Sequence, residues 1–293
     1  MNYEPREDSE LLAKYVKKFA FGNVLDMGTG SGIQAITAAK KKSVKSVVAA
    51  DIQEEVIENN KNNIKNKKIK FIVSDLFSNI KNKKFDTIIF NPPYLPEDAQ
   101  LKDLTIDGGK KGYEVIERFL NDANNYLKKD GVILIIFSSL TRKAKVDEFI
   151  ENNLLEHKEL DKRHIFFEDL YIYLIKKSDL LRKLENKKIK DIRYFTKGHR
   201  GILFTGIYGK KKIVIKAKLP ESKAVGRIQN EIKHLKTLNK KNIGPKLLFC
   251  DKDYFAYEFI EGLFISDFIE KLINKKKSLK KLSIIKITSK IKK

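Results

Sequence analysis

The chain has 293 residues, enough for two domains and a sizeable core. One cysteine (Cys250) and four histidines exclude an internal disulfide framework and argue against a metal site of zinc type. No apolar run approaches the roughly 18 residues of a membrane span, and the N-terminus is polar and acidic, so no membrane contact and no secretory signal are expected, and a cytoplasmic protein is.

The formal net charge of +23 is unevenly placed. Residues 1–178 carry 30 basic and 27 acidic side chains, whereas 179–293 carry 31 and 11. The first part is therefore near neutral, and any RNA or ribosome contact belongs to the second. Only eight of the 61 basic residues are arginine. Readers of bases and clamps for phosphate favour arginine, so lysine enrichment through biased composition is the blander reading.

In chain order, a helix is expected near 9–19, and the apolar run 23–27 reads as the first strand. Gly28, Gly30 and Gly32 follow at alternate positions, with a helix after them near 32–41. Glycines there permit a tight strand-to-helix turn and close backbone approach to a ligand. The second strand, 46–50, ends in Asp51, where an acid accepts hydrogen bonds from a ribose diol. After a helix at 53–65 the third strand, 69–73, ends in Ser74-Asp75-Leu76, and an acid there reaches an adenine amine. The fourth strand, 85–90, runs into Asn91-Pro92-Pro93-Tyr94. Two prolines remove two backbone donors and fix φ, leaving bare carbonyls in a set direction. The Asn91 side chain adds an acceptor and Tyr94 a flat face. Two acceptors and a ring suit a planar, poorly nucleophilic –NH2 group that is to be methylated.

Helices near 113–128 and 143–153 and strands near 131–137, 157–163 and 170–176 complete the first part. Alternation with short loops predicts a doubly wound, mainly parallel α/β sheet. The last two strands are too close for a helical crossover and are expected to be antiparallel. Ligands of such sheets bind at the carboxyl ends of the strands, where Asp51, Asp75 and Asn91 lie.

With these residues in place, the chain resembles the S-adenosylmethionine-dependent methyltransferases, and within them the HemK-like release-factor glutamine methyltransferases of the archaeal and eukaryotic branch. The opening Tyr3-Glu4-Pro5-Arg6-Glu7-Asp8-Ser9 and the stretch Asp107-Gly108-Gly109-Lys110-Lys111-Gly112-Tyr113-Glu114 are similar to segments of that branch. The resemblance covers residues 1–177 and implies a seven-stranded Rossmann-like sheet with an antiparallel last strand. It implies that S-adenosylmethionine lies over Gly28 to Gly32, with its methionine end near Asp26 and Ser9, its ribose at Asp51 and its adenine near Asp75 and Leu76. Asn91, Pro92, Pro93 and Tyr94 then hold the acceptor, the glutamine of a Gly-Gly-Gln loop in a translation release factor. A small zinc-binding activator protein is implied as partner, with Ile69 to Val73 as its docking edge. Asp26 stands where many relatives have Glu and Ser9 where many have Thr; both keep the hydrogen-bonding group. The alternative is a nucleic-acid methyltransferase acting on an exocyclic amine of adenine or guanine, since the same residues solve the same problem there.

A linker is expected at 178–190, a second domain at 191–270 and a basic tail at 271–293. Strands near 192–195, 201–208 and 212–217, a helix from Ser222 to Leu238 and strands near 246–250 and 254–259 give an α+β order. This segment resembles the N-terminal lobe of a protein kinase, in particular a small archaeal family of predicted serine/threonine kinases. Lys197-Gly198-His199-Arg200-Gly201 stands at the glycine-rich loop, Tyr257 to Gly262 looks like the hinge, and Lys216 and Glu231 stand where a nucleotide-binding pair is found. No His-x-Asp loop or Asp-Phe-Gly-like segment follows, so phosphate transfer by this chain is not expected. An incomplete lobe serving as a nucleotide- or RNA-binding module is the alternative reading of this part.

Overall fold

The computed structural model describes residues 7–81, 83–95, 108–165, 167–198, 201–218, 227–262 and 269. Tyr3 to Arg6, Asp107, His199-Arg200, the expected helix start at 222–226 and the tail 271–293 lie outside the described residues. The chain forms two compact units, Met1–Lys210 and Lys211–Lys293.

The first unit runs α1 (Glu7–Phe19), β1 (Gly22–Met27), α2 (Ile33–Ala39), β2 (Val44–Asp51), α3 (Glu54–Asn63), β3 (Ile69–Val73), β4 (Phe85–Phe90), α4 (Glu114–Tyr126), β5 (Leu127–Ser138), α5 (Lys143–Asn152), β6 (Leu155–Ile165), β7 (Glu168–Lys177), α6 (Asp179–Asn186), β8 (Ile189–Gly198) and β9 (Gly201–Tyr208). Seven strands form one sheet in the order β3-β2-β1-β4-β5-β7-β6. The first five are mutually parallel, and β7 runs antiparallel to both its neighbours. The chain steps outward from β1 to β3, then returns to β4 on the other side, so a crevice opens above β1 and β4.

Local sequence explains these elements. In β4, Thr87 to Phe90 are buried on both faces, as expected of a strand covered by helices. In β5, Gly131 to Ser138 are buried, but its first residues include the more exposed Lys128, Lys129 and Asp130. Pairing of Leu127 with Phe85 extends the strand past the apolar run at 131–137. α1 buries Leu11, Leu12 and Val16 on one face, and these join Val24, Ile89 and Leu134 in the core.

The expected linker contains α6, which is anchored to the sheet. Lys177, fully buried on β7, pairs with Glu185, and burial depresses its ammonium pKa. On β8, Arg193 donates to Asp122 at 2.7 Å and to the Asn121 carbonyl at 2.9 Å. The β8–β9 antiparallel hairpin belongs to this first unit.

The second unit holds β10 (Lys211–Ala217), α7 (Arg227–Asn239), β11 (Leu247–Cys250) and β12 (Tyr254–Glu258). β12 pairs antiparallel with both β10 and β11. Ile228 and Ile232 of α7 pack on Phe255.

Candidate active site

A cavity of about 470 Å³ opens at the carboxyl ends of β1, β2, β3 and β4, within the size range of small-molecule sites. Its floor is the turn after β1. Gly28, Gly30 and Gly32 have φ of +63°, +50° and +79°, conformations that side chains rarely adopt. Gly28 and Gly30 line the cavity. Gly32 caps α2, and a Cβ there would meet the Ile64 side chain at 2.6 Å.

Two acids brace this turn. Asp51 lines the cavity; it accepts from the Gly30 N–H through Oδ2 and from the Gln53 N–H through Oδ1, both at 3.0 Å. Asp26 stands behind the wall, 1% exposed. Its Oδ2 accepts from Thr29 Oγ1 at 2.7 Å and from the Ala35 N–H at 3.0 Å. Burial pushes its carboxyl up to about 7, a rise that those two hydrogen bonds oppose. Asn60 Nδ2 donates to the Gly30 carbonyl at 2.7 Å. The glycine turn is thus held by side chains from three elements.

On the β3 side, Leu76 takes φ +44°, and its carbonyl accepts from Ser74 Oγ at 2.6 Å, which locks the strained turn. Leu76 and Asp75 both line the cavity. Asp75 is half-exposed and accepts from Arg118 of α4 at 2.7 Å.

The other end is built from β4 and α1. Asn91, Pro92, Pro93 and Tyr94 line the cavity together with Asp8 and Ser9. Asn91 Nδ2 donates to Asp8 Oδ2 at 3.1 Å and to Ser9 Oγ at 3.2 Å. The Tyr94 hydroxyl donates to the same Asp8 oxygen at 3.3 Å. Asn91 Oδ1 is buried with no hydrogen-bond partner among the described residues. Ser9 also accepts through its carbonyl from Gln34 Nε2 at 2.8 Å, which fastens α1 to α2.

The segment before α4 fixes the Pro-Pro turn from outside. The Gly108 N–H donates to the Leu95 carbonyl at 2.8 Å. A Cβ on Gly108 would meet the Gly112 carbonyl oxygen at 2.4 Å and the Pro93 carbonyl oxygen at 2.8 Å, so only glycine fits. Gly109, at φ +106°, and the Glu114 carboxylate, accepting from the Lys111 and Tyr113 N–H groups, complete the start of α4.

Of the site residues expected from sequence, Ser9, Gly28, Gly30, Asp51, Asp75, Leu76 and Asn91 to Tyr94 converge on one cavity. Asp26 and Gly32 support it from behind, and Lys216 and Glu231 lie in the second unit, ion-paired with each other. Further lining residues, among them Asp8, Gln34, Arg118 and Glu168, did not stand out in the sequence. None of these four ends a parallel strand, so the topological rule does not reach them. For Asp8 the opening motif was the available signal. Glu168 comes from the β6–β7 hairpin, and its Oε2 is buried without a partner among the described residues.

The cavity fits S-adenosylmethionine. The glycine turn admits close approach, Asp51 and Asp75 stand as acceptors on successive strands, and Ile52, Val56 and Val115 give an apolar wall. Among the described residues no group of three metal-ligating side chains occurs.

Comparison with known proteins agrees with this arrangement. Residues 6–167 match the family model described as methyltransferase small domain. A Methanocaldococcus jannaschii protein named as a protein N5-glutamine methyltransferase is 45% identical over 146 residues, 47% of this chain and 73% of that protein. The release factor glutamine methyltransferase of Streptococcus pneumoniae is 34% identical over 125 residues, 39% of this chain; the match spans 44% of that relative. Among solved structures, the E. cuniculi Mtq2–Trm112 complex, responsible for methylation of the eRF1 translation termination factor, superposes with a TM-score of 0.50. It is 30% identical and covers 61% of this chain and 100% of the matched one. The family match ends at residue 167 and carries nothing about the elements from β7 onward.

Proposed function

The chain belongs to the methyltransferase small domain family, whose cofactor is S-adenosylmethionine, and from that premise we propose that it methylates the side-chain amide of the glutamine in the Gly-Gly-Gln loop of a translation release factor. The observation that carries this reading is Asn91 Oδ1, a buried acceptor with no partner among the described residues, beside a Pro-Pro turn at the cavity wall. The names of the M. jannaschii and S. pneumoniae relatives support the choice of glutamine.

The cofactor supplies a methyl on a sulfonium, electrophilic without a metal. The chain supplies position. Asn91 Oδ1 and the Pro92 carbonyl accept the two amide hydrogens, which orients the nitrogen lone pair in line with the methyl–sulfur bond. Tyr94 stacks on the amide plane. Gly28, Gly30, Asp51 and Asp75 would hold the cofactor, which would supply the methyl to the amide nitrogen in exchange for a thioether leaving group, and the methylated nitrogen would then release its proton. Alignment of this kind supplies on the order of 7–11 kcal/mol of a barrier.

The test is transfer of labelled methyl to a purified release factor, beside the same factor with its Gly-Gly-Gln glutamine changed to alanine and beside total RNA and DNA. Label on the glutamine form alone is expected. Label on nucleic acid overturns the reading in favour of an exocyclic-amine acceptor.

A small zinc-binding activator is proposed as partner, on the edge of β3. That strand ends the sheet, and Ile69, Ile72 and Val73 are only partly buried. The presence of a second protein, Trm112, in the E. cuniculi complex supports a protein partner. Full activity of the chain purified alone overturns it. For residues 191–270 we propose a nucleotide-binding, kinase-lobe-like module, with the Lys216–Glu231 ion pair in support. Titration with a fluorescent ATP analogue tests it, and equal binding by the chain and its Lys216→Ala form overturns it.

A further inference from the structure

We propose that Asp8 is a positioning residue that fixes which way the Asn91 amide points, and so makes the site take a carboxamide and refuse a carboxylate. This rests on the glutamine reading above.

A carboxamide has two ends of nearly equal size and opposite polarity. Turned by half a rotation, Asn91 would offer N–H donors where it now offers an oxygen. Its neighbours decide between the two. Asp8 Oδ2 and Ser9 Oγ both lie on Nδ2, at 3.1 and 3.2 Å. A serine hydroxyl can donate or accept, so Ser9 satisfies either orientation. A carboxylate only accepts, so Asp8 faces the NH2 end and no other. The oxygen is thereby left on the other side, buried and without a partner among the described residues.

Asp8 is well placed for this work. It is 7% exposed, in the first turn of α1, and its Oδ1 accepts from the Ser9 N–H at 2.6 Å. A helix N-terminus favours a negative side chain. The Oδ2 atom that holds Asn91 also takes the Tyr94 hydroxyl at 3.3 Å. One carboxylate therefore orders both side chains assigned to the acceptor. α1, outside the parallel strands that carry the rest of the site, supplies this part of the specificity.

A pair of acceptors, Asn91 Oδ1 and the Pro92 carbonyl, matches the two hydrogens of an amide and repels the oxygens of a glutamate. Sites built to hydrogen-bond a particular group reject analogues lacking it by about 10⁴–10⁵-fold.

The experiment uses the full chain, Gly-Gly-Gln and Gly-Gly-Glu peptides and S-adenosylmethionine. Asp8→Asn lets either amide end face Asn91. It is expected to lower kcat on the glutamine peptide by about tenfold or more and to reduce the glutamine-over-glutamate preference by a similar factor. The KM for S-adenosylmethionine is expected to stay within about twofold. Unchanged kcat and preference overturn the proposal, as does an equal loss of cofactor affinity with a lowered melting temperature. A polarity swap gives a second test. Asn91→Asp alone sets two carboxylates against each other; combined with Asp8→Asn, the pair again has one donor and one inward oxygen. The double variant is expected to exceed Asn91→Asp in kcat, and a double variant no better than that single one overturns the proposal. If wild type transfers no methyl to the glutamine peptide but labels RNA, the glutamine reading fails by itself. The polarity swap, run on that RNA, then decides the role of Asp8.

Discussion

Asn91 joins two jobs in one side chain: its nitrogen is anchored, and its oxygen is the buried acceptor of the site. Asn91→Ala is therefore expected to lower turnover by about 10²-fold or more, the scale seen when one preorganised polar group is removed. Cofactor affinity, read by calorimetry, should change by less than about threefold. Asp26 gives a different prediction. The fold holds its proton more tightly than the unfolded chain does, because burial disfavours the charge. Its contribution to stability is complete below the ordinary carboxylate range and falls away as pH rises to about 7. Melting temperatures between pH 5 and 7.5 should decline less in Asp26→Asn than in wild type. Asn91, Asp51 and Asp75 were legible in the sequence because each follows a strand whose apolar run marks its end. Arg118 was not, since a helix carries it and only tertiary packing turns that helix toward the crevice, and Asp8 was marked only as part of the opening motif.

At the scale of elements, the doubly wound, mainly parallel sheet could be anticipated from alternating strands and helices, and the antiparallel β6–β7 hairpin from the short connection between them. Strand ends were less legible. β6 spans Leu155–Ile165 with mostly exposed residues, and its pairing with β7 continues beyond anything hydropathy marks. The glycine segment before α4 was legible only as a resemblance, and the packing supplies its cause. Gly108 lies against two backbone carbonyls that cannot move aside. Gly108→Ala is expected to cost about 1–3 kcal/mol, by the usual scale of overpacking, and to displace the Pro-Pro turn. Chemical denaturation and kcat should both register it. A variant with wild-type stability and activity would mean that the turn has slack.

Across the whole molecule, charge and chemistry are separated. The cavity lies in the near-neutral part, and the excess of 31 basic over 11 acidic side chains falls after residue 178. Binding of the chain to a homopolymeric RNA is expected to weaken by orders of magnitude between low and moderate salt, as counterion release requires. Fluorescence anisotropy at several salt concentrations measures it, and a flat dependence would show that the lysines are spectators. The elements of the second unit were readable from glycine spacing and strand-like runs, but elements alone do not assign a family. The two walls of the cavity also differ in kind. The acceptor wall is made of partly buried hydrogen bonds that Asp8 accepts, while the wall at Asp75 is closed by an ion pair with Arg118 in which both side chains reach solvent. Counterions weaken the second and leave the first alone. The enzyme thus has one door whose latch responds to the ionic composition of its surroundings and one lock that does not.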